Sequence, residues 1–175
     1  MGLGGEAVVL GAGGDELADE GVSTRVERIR KLLFEATKDH PKREEIGERL
    51  ASHPSDTVRM WVAYMPLADT TLSLSQHLDA ARRFAADSSM NVKESAWDAI
   101  RPYVLENLSK GLKKFEPWVY DSDPNIRRCA VEGMRPCGVW TKHCQEFKDD
   151  PEPGLNLLEP VRSDPSCYVH TATAD

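Results

Sequence analysis

A spacing of 34 residues recurs along this chain and limits what it can fold into more than any other feature. The stretch from Asp121 to Trp140, DSDPNIRRCAVEGMRPCGVW, combines turn-forming residues, a short helical pattern and a proline-glycine stop. Related stretches cover residues 86–102 and 51–66. The sequence therefore predicts a repeat protein whose repeats each end in a helix of this kind.

Several columns of residues keep this register. The apolar anchors Val58, Val92 and Ile126 stand 34 residues apart, and Val169 follows after 43, behind a nine-residue insertion. An acidic column contains Asp87, Asp121 and Asp164, and a basic column contains Arg59, Lys93, Arg127 and His170. Arginines also precede a proline at the same point of two repeats. We expect one repeat domain over residues 23–175.

The residue pattern within each repeat indicates the fold class. A TPR repeat has the same length but needs Trp, Leu-Gly and Tyr early in each copy. This chain instead has Asp-Pro or its equivalent, then an apolar and a basic residue, which resembles the HEAT pattern. The resemblance implies an all-α fold, a right-handed superhelical solenoid of HEAT-like helix pairs. Helices are predicted at 23–38, 41–51, 58–64, 73–86, 91–100, 105–120, from 125, at 154–162 and from 169.

Charge and composition separate the ends of the chain from its middle. The formal charge is −7, but residues 1–22 carry five acids and no Lys or Arg, so the middle is about balanced. Residues 1–22 are predicted to be a flexible, glycine-rich acidic leader, because their GAGG lacks the surroundings of a phosphate-binding loop. No apolar run is long enough to cross a membrane. A cytoplasmic monomer is expected.

A further column contains carboxylates. Tyr64, Asp98, Glu132 and Asp175 share one register position, which predicts three acids in a row on successive second helices. In HEAT-type stacks those helices line the concave surface. Solvated surface acids and a functional site are both open interpretations, and the flanking arginines are the reason to consider a site.

Tryptophans lie close to this row. Trp61 and Trp97 fit either the core or a site, whereas Trp140 follows a glycine inside the insertion and is the better functional candidate. A separate column is assigned to core packing: Phe84, Trp118 and Val161.

The basic column has a structural interpretation as well. In HEAT arrays an Asp and the basic residue six positions later typically bridge neighbouring repeats. The pairs concerned here are Asp87 with Lys93, Asp121 with Arg127, and Asp164 with His170. Under this interpretation Arg101, Arg128 and Arg135 are more available to a partner.

The anchor stretch also resembles a known family. RRCAVEGMRPCGVW is similar to the segment of AlkC-type DNA alkylation repair glycosylases in which a glutamate on a HEAT-repeat helix is followed by Arg-Pro and then by a tryptophan. Glu132, Arg135, Pro136 and Trp140 match that pattern, and the upstream WDAIRPYV resembles the preceding repeat. The resemblance covers residues 78–175 and suggests the AlkC/AlkD group.

The resemblance implies excision of N-alkylated, often cationic, bases such as 3-methyladenine from double-stranded DNA, without metal or nucleotide cofactor. A carboxylate can stabilise an oxocarbenium-like sugar and position water, and an indole can attract a cationic base. The catalytic candidates are Glu132, Trp140, Asp98, Trp97 and Asp175. The candidates for phosphate binding are Arg101, Arg127, Arg128, Arg135 and Lys93.

Other interpretations stay open. HEAT-like arrays commonly serve as protein-interaction scaffolds without catalysis. The family pattern has a glutamate where Trp97 stands and places another carboxylate past Asp175, so a truncated chain that binds without turnover is also possible. A metal site made of Cys137, His143 and Cys144 lacks a dependable fourth ligand.

Overall fold

The computed structural model describes residues 21–137 and 143–174, and all regular structure in these ranges is helical, as predicted. Single 3-10 segments at Met65–Ala68, Glu116–Tyr120, Glu152–Gly154 and Glu159–Val161 join the α-helices. The α-helices are α1 (Val22–Thr37), α2 (Arg43–Ala51), α3 (Asp56–Ala63), α4 (Leu74–Ala85), α5 (Met90–Glu106), α6 (Leu108–Phe115), α7 (Pro124–Gly133), α8 (Gln145–Asp149), α9 (Leu155–Leu158) and α10 (Cys167–Ala174).

The chain divides into two compact units, with the boundary between Thr71 and Leu72. In the first unit α1 packs against α3 and the following 3-10 segment, and α2 packs against α3. Leu33, Val62 and Ala63 form its buried centre. The predicted leader lies almost wholly outside the described residues. The predicted domain boundaries therefore stay a prediction.

The second unit contains the helices that carry most of the predicted site. α4 packs against α5, α5 against α7, and α7 against α10, so the second helices of successive repeats are neighbours. The apolar anchors Val92, Ile126 and Val169 are all buried. This confirms the repeat register for these copies, including the step across the insertion. The predicted core column of Phe84, Trp118 and Val161 is buried too.

The acidic column builds the same turn in each repeat. The side chains of Asp87, Asp121 and Asp164 each accept a hydrogen bond from the backbone N–H two residues later, at 2.7, 2.8 and 2.8 Å. His53 occupies the column one repeat earlier and accepts the equivalent bond at Nδ1, at 3.0 Å. These local bonds hold the chain as it enters the second helix of each pair.

The acidic and basic columns join neighbouring repeats, but with partners that differ from the predicted ones. Arg127 pairs with Asp164 of the next repeat, at 2.6 Å. Asp121 is paired with Arg82 instead of a residue of the basic column. Lys93, whose predicted partner was Asp87, donates to Asn125 Oδ1 of the next repeat at 3.2 Å.

Helix α5 is longer than predicted. Pro102 was expected to end it, yet the helix continues through this residue to Glu106. Val104 is fully buried, and the Tyr103 ring stacks on His77 with 3.8 Å between ring centroids. This packing outweighs the backbone hydrogen bond that a proline inside a helix removes.

The segment predicted as a single helix at 105–120 is divided. Asn107 caps a new helix, α6, by accepting from the Lys110 N–H at 3.1 Å. A 3-10 segment that contains Pro117 then replaces the last turns. The predicted helix at 154–162 is likewise divided, and Pro160 lies in its 3-10 part.

Smaller differences occur at other helix ends. α1 begins at Val22 with Gly21 as its N-cap, and no side chain caps it, in contrast to the predicted Ser23 or Thr24 cap. α2 begins at Arg43, two residues later than expected. The insertion contains a short helix, α8, that the sequence pattern did not indicate. Within the described part of the chain, no helix has the length and apolar character needed to span a membrane.

Candidate functional site

Glu132 lies in the last turn of α7, and the local sequence explains its placement. Asp123 caps this helix by accepting the Asn125 N–H at 2.8 Å, and Pro124 occupies its first turn. Ile126 and Ala130 pack into the core on the inner side of the helix. Glu132 itself is only 2% exposed, so it is not a solvated surface acid.

Two arginines neutralise the Glu132 carboxylate. Arg128 Nη2 lies 2.8 Å from Oε1, and Arg135 Nη1 lies 3.0 Å from Oε2. Both partners come from the same stretch of chain, four residues before and three residues after the glutamate. The Arg128 and Arg135 side chains are 16% and 27% exposed, so they stand between the buried carboxylate and solvent. The group as a whole carries one net positive charge.

Arg101 lies beneath this group and is the largest fully buried side chain among the residues described. Its Nη1 donates to the Gly133 carbonyl at 3.1 Å, and its Nη2 donates to the Arg135 carbonyl at 2.5 Å. Burial lowers the pKa of the Arg101 guanidinium from its ordinary value, and the charge of Asp98 acts in the opposite direction. The expectation that Arg101 is available to a partner is therefore wrong, because backbone carbonyls already occupy this buried group.

Two acids of the predicted carboxylate row approach Arg101 in different ways. Asp98 is half-buried on α5 and near enough to Arg101 for its charge to affect the pKa of that arginine. Glu132 approaches Arg101 through its backbone carbonyl, which lies 3.5 Å from Nη1. Trp97, which precedes Asp98 in the chain, is also half-buried. Tyr64 belongs to the first unit. Trp140 and Asp175 lie outside the described residues.

A second group of cations gathers around Tyr168 on α10. The Arg128 guanidinium carbon lies 4.2 Å from the centre of the Tyr168 ring, and Lys93 Nζ lies 4.9 Å from it. Arg128 also donates to the Tyr168 carbonyl at 2.5 Å, and the Tyr168 hydroxyl lies 3.2 Å from Met90 Sδ. We call Lys93, Arg128 and Tyr168 the Tyr168 cluster. It connects the second helices of successive repeats on a half-buried surface.

Tyr168 was missed in the sequence, although a signal was present. It directly precedes the apolar anchor Val169, and the equivalent positions of the other repeats hold Thr57, Asn91 and Asn125. An aromatic residue in an otherwise small and polar column marks a position with a different role. Two of the predicted phosphate-binding residues, Lys93 and Arg128, meet this ring.

Arg127 faces a different neighbour. It forms two hydrogen bonds with Asp164, which raise the pKa of the Arg127 guanidinium, and it also donates to the Asp121 carbonyl at 2.7 Å. Arg59 makes the equivalent bond to the His53 carbonyl, also at 2.7 Å. The position of Arg127 therefore serves the joint between repeats.

Cys129 is buried and is not a candidate nucleophile. Burial raises the pKa of the Cys129 thiol above its ordinary range, and the nearby Glu132 charge adds to this effect, so the thiol stays protonated. His143 Nδ1 lies 2.9 Å from Lys148 Nζ. Within residues 21–137 and 143–174, no three His, Cys, Asp or Glu side chains converge as metal ligands would.

The two flanks of the insertion are joined directly. The Cys144 N–H donates to the Pro136 carbonyl at 2.9 Å, and Cys144 is buried. The bond lies directly after the turn that carries Arg135. It thus attaches the region after the insertion to the end of the Glu132 helix.

Comparison with known proteins gives this arrangement a context. Its backbone superposes on the Pseudomonas fluorescens alkylpurine DNA glycosylase AlkC, solved bound to DNA containing an abasic site analog, with a TM-score of 0.75 over 90% of this chain. The chain is similar to AlkC. The two sequences are 25% identical, and the match confirms the resemblance to the AlkC/AlkD group that the motif around Glu132 indicated.

The similarity covers less than half of AlkC. The chain spans 43% of the AlkC chain. It is also 35% identical over 77 residues to the uncharacterized protein YhaZ of Bacillus subtilis (strain 168), which corresponds to 44% of this chain and 22% of YhaZ. No protein-family model matches the chain.

Proposed function

We propose that this protein acts in DNA alkylation repair as a DNA glycosylase-like protein that binds alkylated duplex DNA and hydrolyses the N-glycosidic bond of N-alkylated bases. The observation that carries the proposal is the similarity to AlkC over 90% of the chain. In support, the glutamate of the family motif lies in a group of arginines at the end of α7.

Hydrolysis of the N-glycosidic bond of an alkylated base requires a carboxylate and few other catalytic groups. An alkylated, cationic base is already a good leaving group, so the main requirement is to stabilise the developing oxocarbenium-like sugar and to position water. Glu132 supplies the negative charge and acts as the base. Trp140 supplies a ring for the cationic base, and Asp98, Trp97 and Asp175 complete the proposed catalytic set. No metal or nucleotide cofactor is part of the proposal.

DNA binding has to expose Glu132, because its carboxylate is paired on both sides. Guanidinium groups bind phosphate as readily as carboxylate, in the same two-pronged geometry. Arg128 and Arg135 border solvent, so backbone phosphates can draw them away from Glu132. The proposed order of events is thus phosphate capture first and release of the carboxylate second.

The phosphate-binding surface is proposed to consist of Arg128, Arg135, Lys93 and the exposed parts of Arg127, with Tyr168 orienting two of these cations. We assign these residues to the concave side of a right-handed superhelical solenoid of HEAT-like repeats. Phosphate contacts of this kind fix the register of a protein on the duplex without reading its sequence. Arg101 is not included, since it is buried and bound to carbonyls.

A second candidate function is a HEAT-repeat interaction scaffold without catalysis. One observation favours it: Glu132 has both carboxylate oxygens paired and is closed to solvent, so its interactions are complete without a substrate. Buried carboxylates in such pairs commonly serve structure alone. The two candidates differ in whether alkylated DNA reacts.

The test is release of methylated bases from alkylated duplex DNA by the wild-type chain and by Glu132→Gln, with DNA affinity measured in parallel at several salt concentrations. Release by the wild type that is lost in Glu132→Gln supports a glycosylase in which this carboxylate acts. Release that survives in Glu132→Gln assigns the reaction to another group. Salt-sensitive binding without release would leave a damage-recognition protein, and no binding would favour the scaffold.

A further inference from the structure

Arg101 is a charged side chain that is almost completely buried. It extends from α5 to the end of α7 and is 2% exposed. Removing a guanidinium from water is unfavourable unless its donors are satisfied. Its donors meet the carbonyls of Gly133 at 3.1 Å, of Arg135 at 2.5 Å and, at the longer distance of 3.5 Å, of Glu132.

These carbonyls lie in the last turn of α7 and just beyond it. The last carbonyls of a helix have no partner within it, and they form the negative end of the helix dipole. The backbone of this turn also makes local bonds, from Met134 N–H to the Val131 carbonyl at 3.1 Å and from Arg135 N–H to the Glu132 carbonyl at 3.4 Å. Arg101 therefore supplies partners and positive charge together at the helix end.

The repeat register shows that this role is specific to Arg101. Arg135 stands 34 residues later, at the same position before a proline, but its guanidinium turns back to the Glu132 carboxylate. Equivalent arginines thus approach Glu132 in different ways. Arg135 binds its side chain, whereas Arg101 binds the backbone around it.

We propose that Arg101 is a positioning residue of the Glu132 site, which holds the backbone at the end of α7 so that the Glu132 carboxylate stays aligned between Arg128 and Arg135. Its importance for base release rests on the proposed function. Its effect on the end of α7 does not, and can be measured without any reaction.

The planar fork of arginine explains why this residue type suits the position. Its Nη1 and Nη2 point in fixed directions and reach carbonyls on both sides of the turn. A lysine has a single side-chain nitrogen, so it can replace only some of the hydrogen bonds that Arg101 makes to these carbonyls. Arg101→Lys should therefore retain some of the alignment, and Arg101→Met, which is similar in length but has no donor, should lose it.

The first measurement is residue-resolved amide hydrogen exchange of the full chain and its Arg101→Met, Arg101→Lys and Arg82→Met variants. Arg82 lies on α4 and pairs with Asp121, so it controls for the loss of an arginine away from Glu132. In Arg101→Met the Met134 and Arg135 amides should exchange about tenfold faster, as expected for the loss of about one net hydrogen bond. The α4 amides should be unchanged, and Arg101→Lys should be intermediate.

Two results would overturn the positioning role. One is unchanged exchange of the Met134 and Arg135 amides in Arg101→Met. The other is equal acceleration in α4 and at the end of α7, which would mean that Arg101 only supports global stability. If Arg101→Met does not fold, the comparison of Arg101→Lys with wild type decides by the same criteria.

The second measurement is single-turnover base release together with DNA affinity. Arg101→Met should lower the release rate at least tenfold and change DNA affinity less than twofold, with partial recovery in Arg101→Lys. A wild-type release rate in Arg101→Met would overturn the link to catalysis. If the wild-type chain releases no base, the proposed function fails, but the exchange data still decide whether Arg101 positions the end of α7.

Discussion

Arg127 and Asp164 join two consecutive repeats through two parallel hydrogen bonds, from Nε to Oδ2 at 2.6 Å and from Nη2 to Oδ1 at 2.8 Å. Both side chains are largely buried. Paired guanidinium and carboxylate groups of this geometry are among the stronger polar contacts in proteins. The pair spans the nine-residue insertion, so it connects segments that the chain itself separates.

We expect Arg127→Lys to destabilise the protein by about 1–3 kcal/mol, because lysine cannot make both bonds and leaves a buried carboxylate partly unsatisfied. The free energy of unfolding, from urea denaturation, measures the effect. Lys31→Arg, an exposed change on α1, is the control and should stay within about 0.5 kcal/mol of wild type. Equal stability of the two variants would contradict the assigned role.

The same pair predicts a pH dependence. The hydrogen bonds from Arg127 hold the pKa of the Asp164 carboxyl below its ordinary value, and the charge of nearby His170 lowers this pKa as well. A lowered carboxyl pKa stabilises the folded state above the unfolded pKa, near ~3.9, and this contribution is lost as pH falls through the folded pKa. The difference in unfolding free energy between wild type and Asp164→Asn should therefore be largest at neutral pH and shrink below about pH 4. A constant difference down to acid pH would contradict this assignment.

Gly133 should not tolerate a larger side chain. A Cβ atom at this position would lie 2.9 Å from Cζ and 3.1 Å from Cε2 of Phe115, whose ring is fully buried. We expect Gly133→Ala to destabilise the protein by about 1–3 kcal/mol in thermal or urea denaturation. Gly154→Ala is the matched control, since its Cβ would meet Phe147 at an ordinary 3.6 Å. Comparable stabilities would show that the Phe115 ring moves aside readily.

Lys93 should contribute to DNA affinity through charge. If it meets a phosphate, Lys93→Gln should weaken binding of all duplex sequences alike and reduce the slope of log K against log salt by about one. Fluorescence anisotropy at several salt concentrations gives both quantities. Lys114→Gln, an exposed change on α6, should leave the slope unchanged. An unaltered slope in Lys93→Gln would remove this residue from the proposed interface.

Tyr168 should act through its ring. Tyr168→Phe keeps the surface that Lys93 and Arg128 contact, whereas Tyr168→Leu removes it. Since a cation–π contact at a partly exposed site contributes ~0.5–1 kcal/mol, Tyr168→Leu should weaken duplex binding about two- to fivefold. Tyr168→Phe should bind like wild type. A loss in both variants would instead assign the effect to the hydroxyl group and its contact with Met90.

The sequence predicted those features that depend on local pattern. The 34-residue register placed Val92, Ile126 and Val169 at equivalent buried points, because helical periodicity decides which face of each helix is apolar. It also placed the aspartates that form a turn before each second helix, since their bonds reach only two residues along the chain. The motif around Glu132 identified the AlkC-like group.

Features that depend on packing between helices could not be predicted from the sequence, and the end of α5 illustrates why. Proline chemistry predicted that this helix would end at Ile100, but the packing of Val104 and of Tyr103 against His77 carries it through Pro102. Those contacts involve a neighbouring helix. A pattern read along one segment does not contain them.

Arg101 and Arg135 show the same division most clearly. By sequence alone they are equivalent, each one residue before a proline and 34 residues apart. In the fold Arg101 is buried against the carbonyls that α7 leaves unpaired at its end, while Arg135 lies at the surface and binds Glu132. The sequence by itself determined the repeat register, most of the helices and the presence of Glu132 among arginines. Only the tertiary structure decided which arginine binds backbone and which binds carboxylate, because that choice depends on the unpaired polar groups that packing brings near each one.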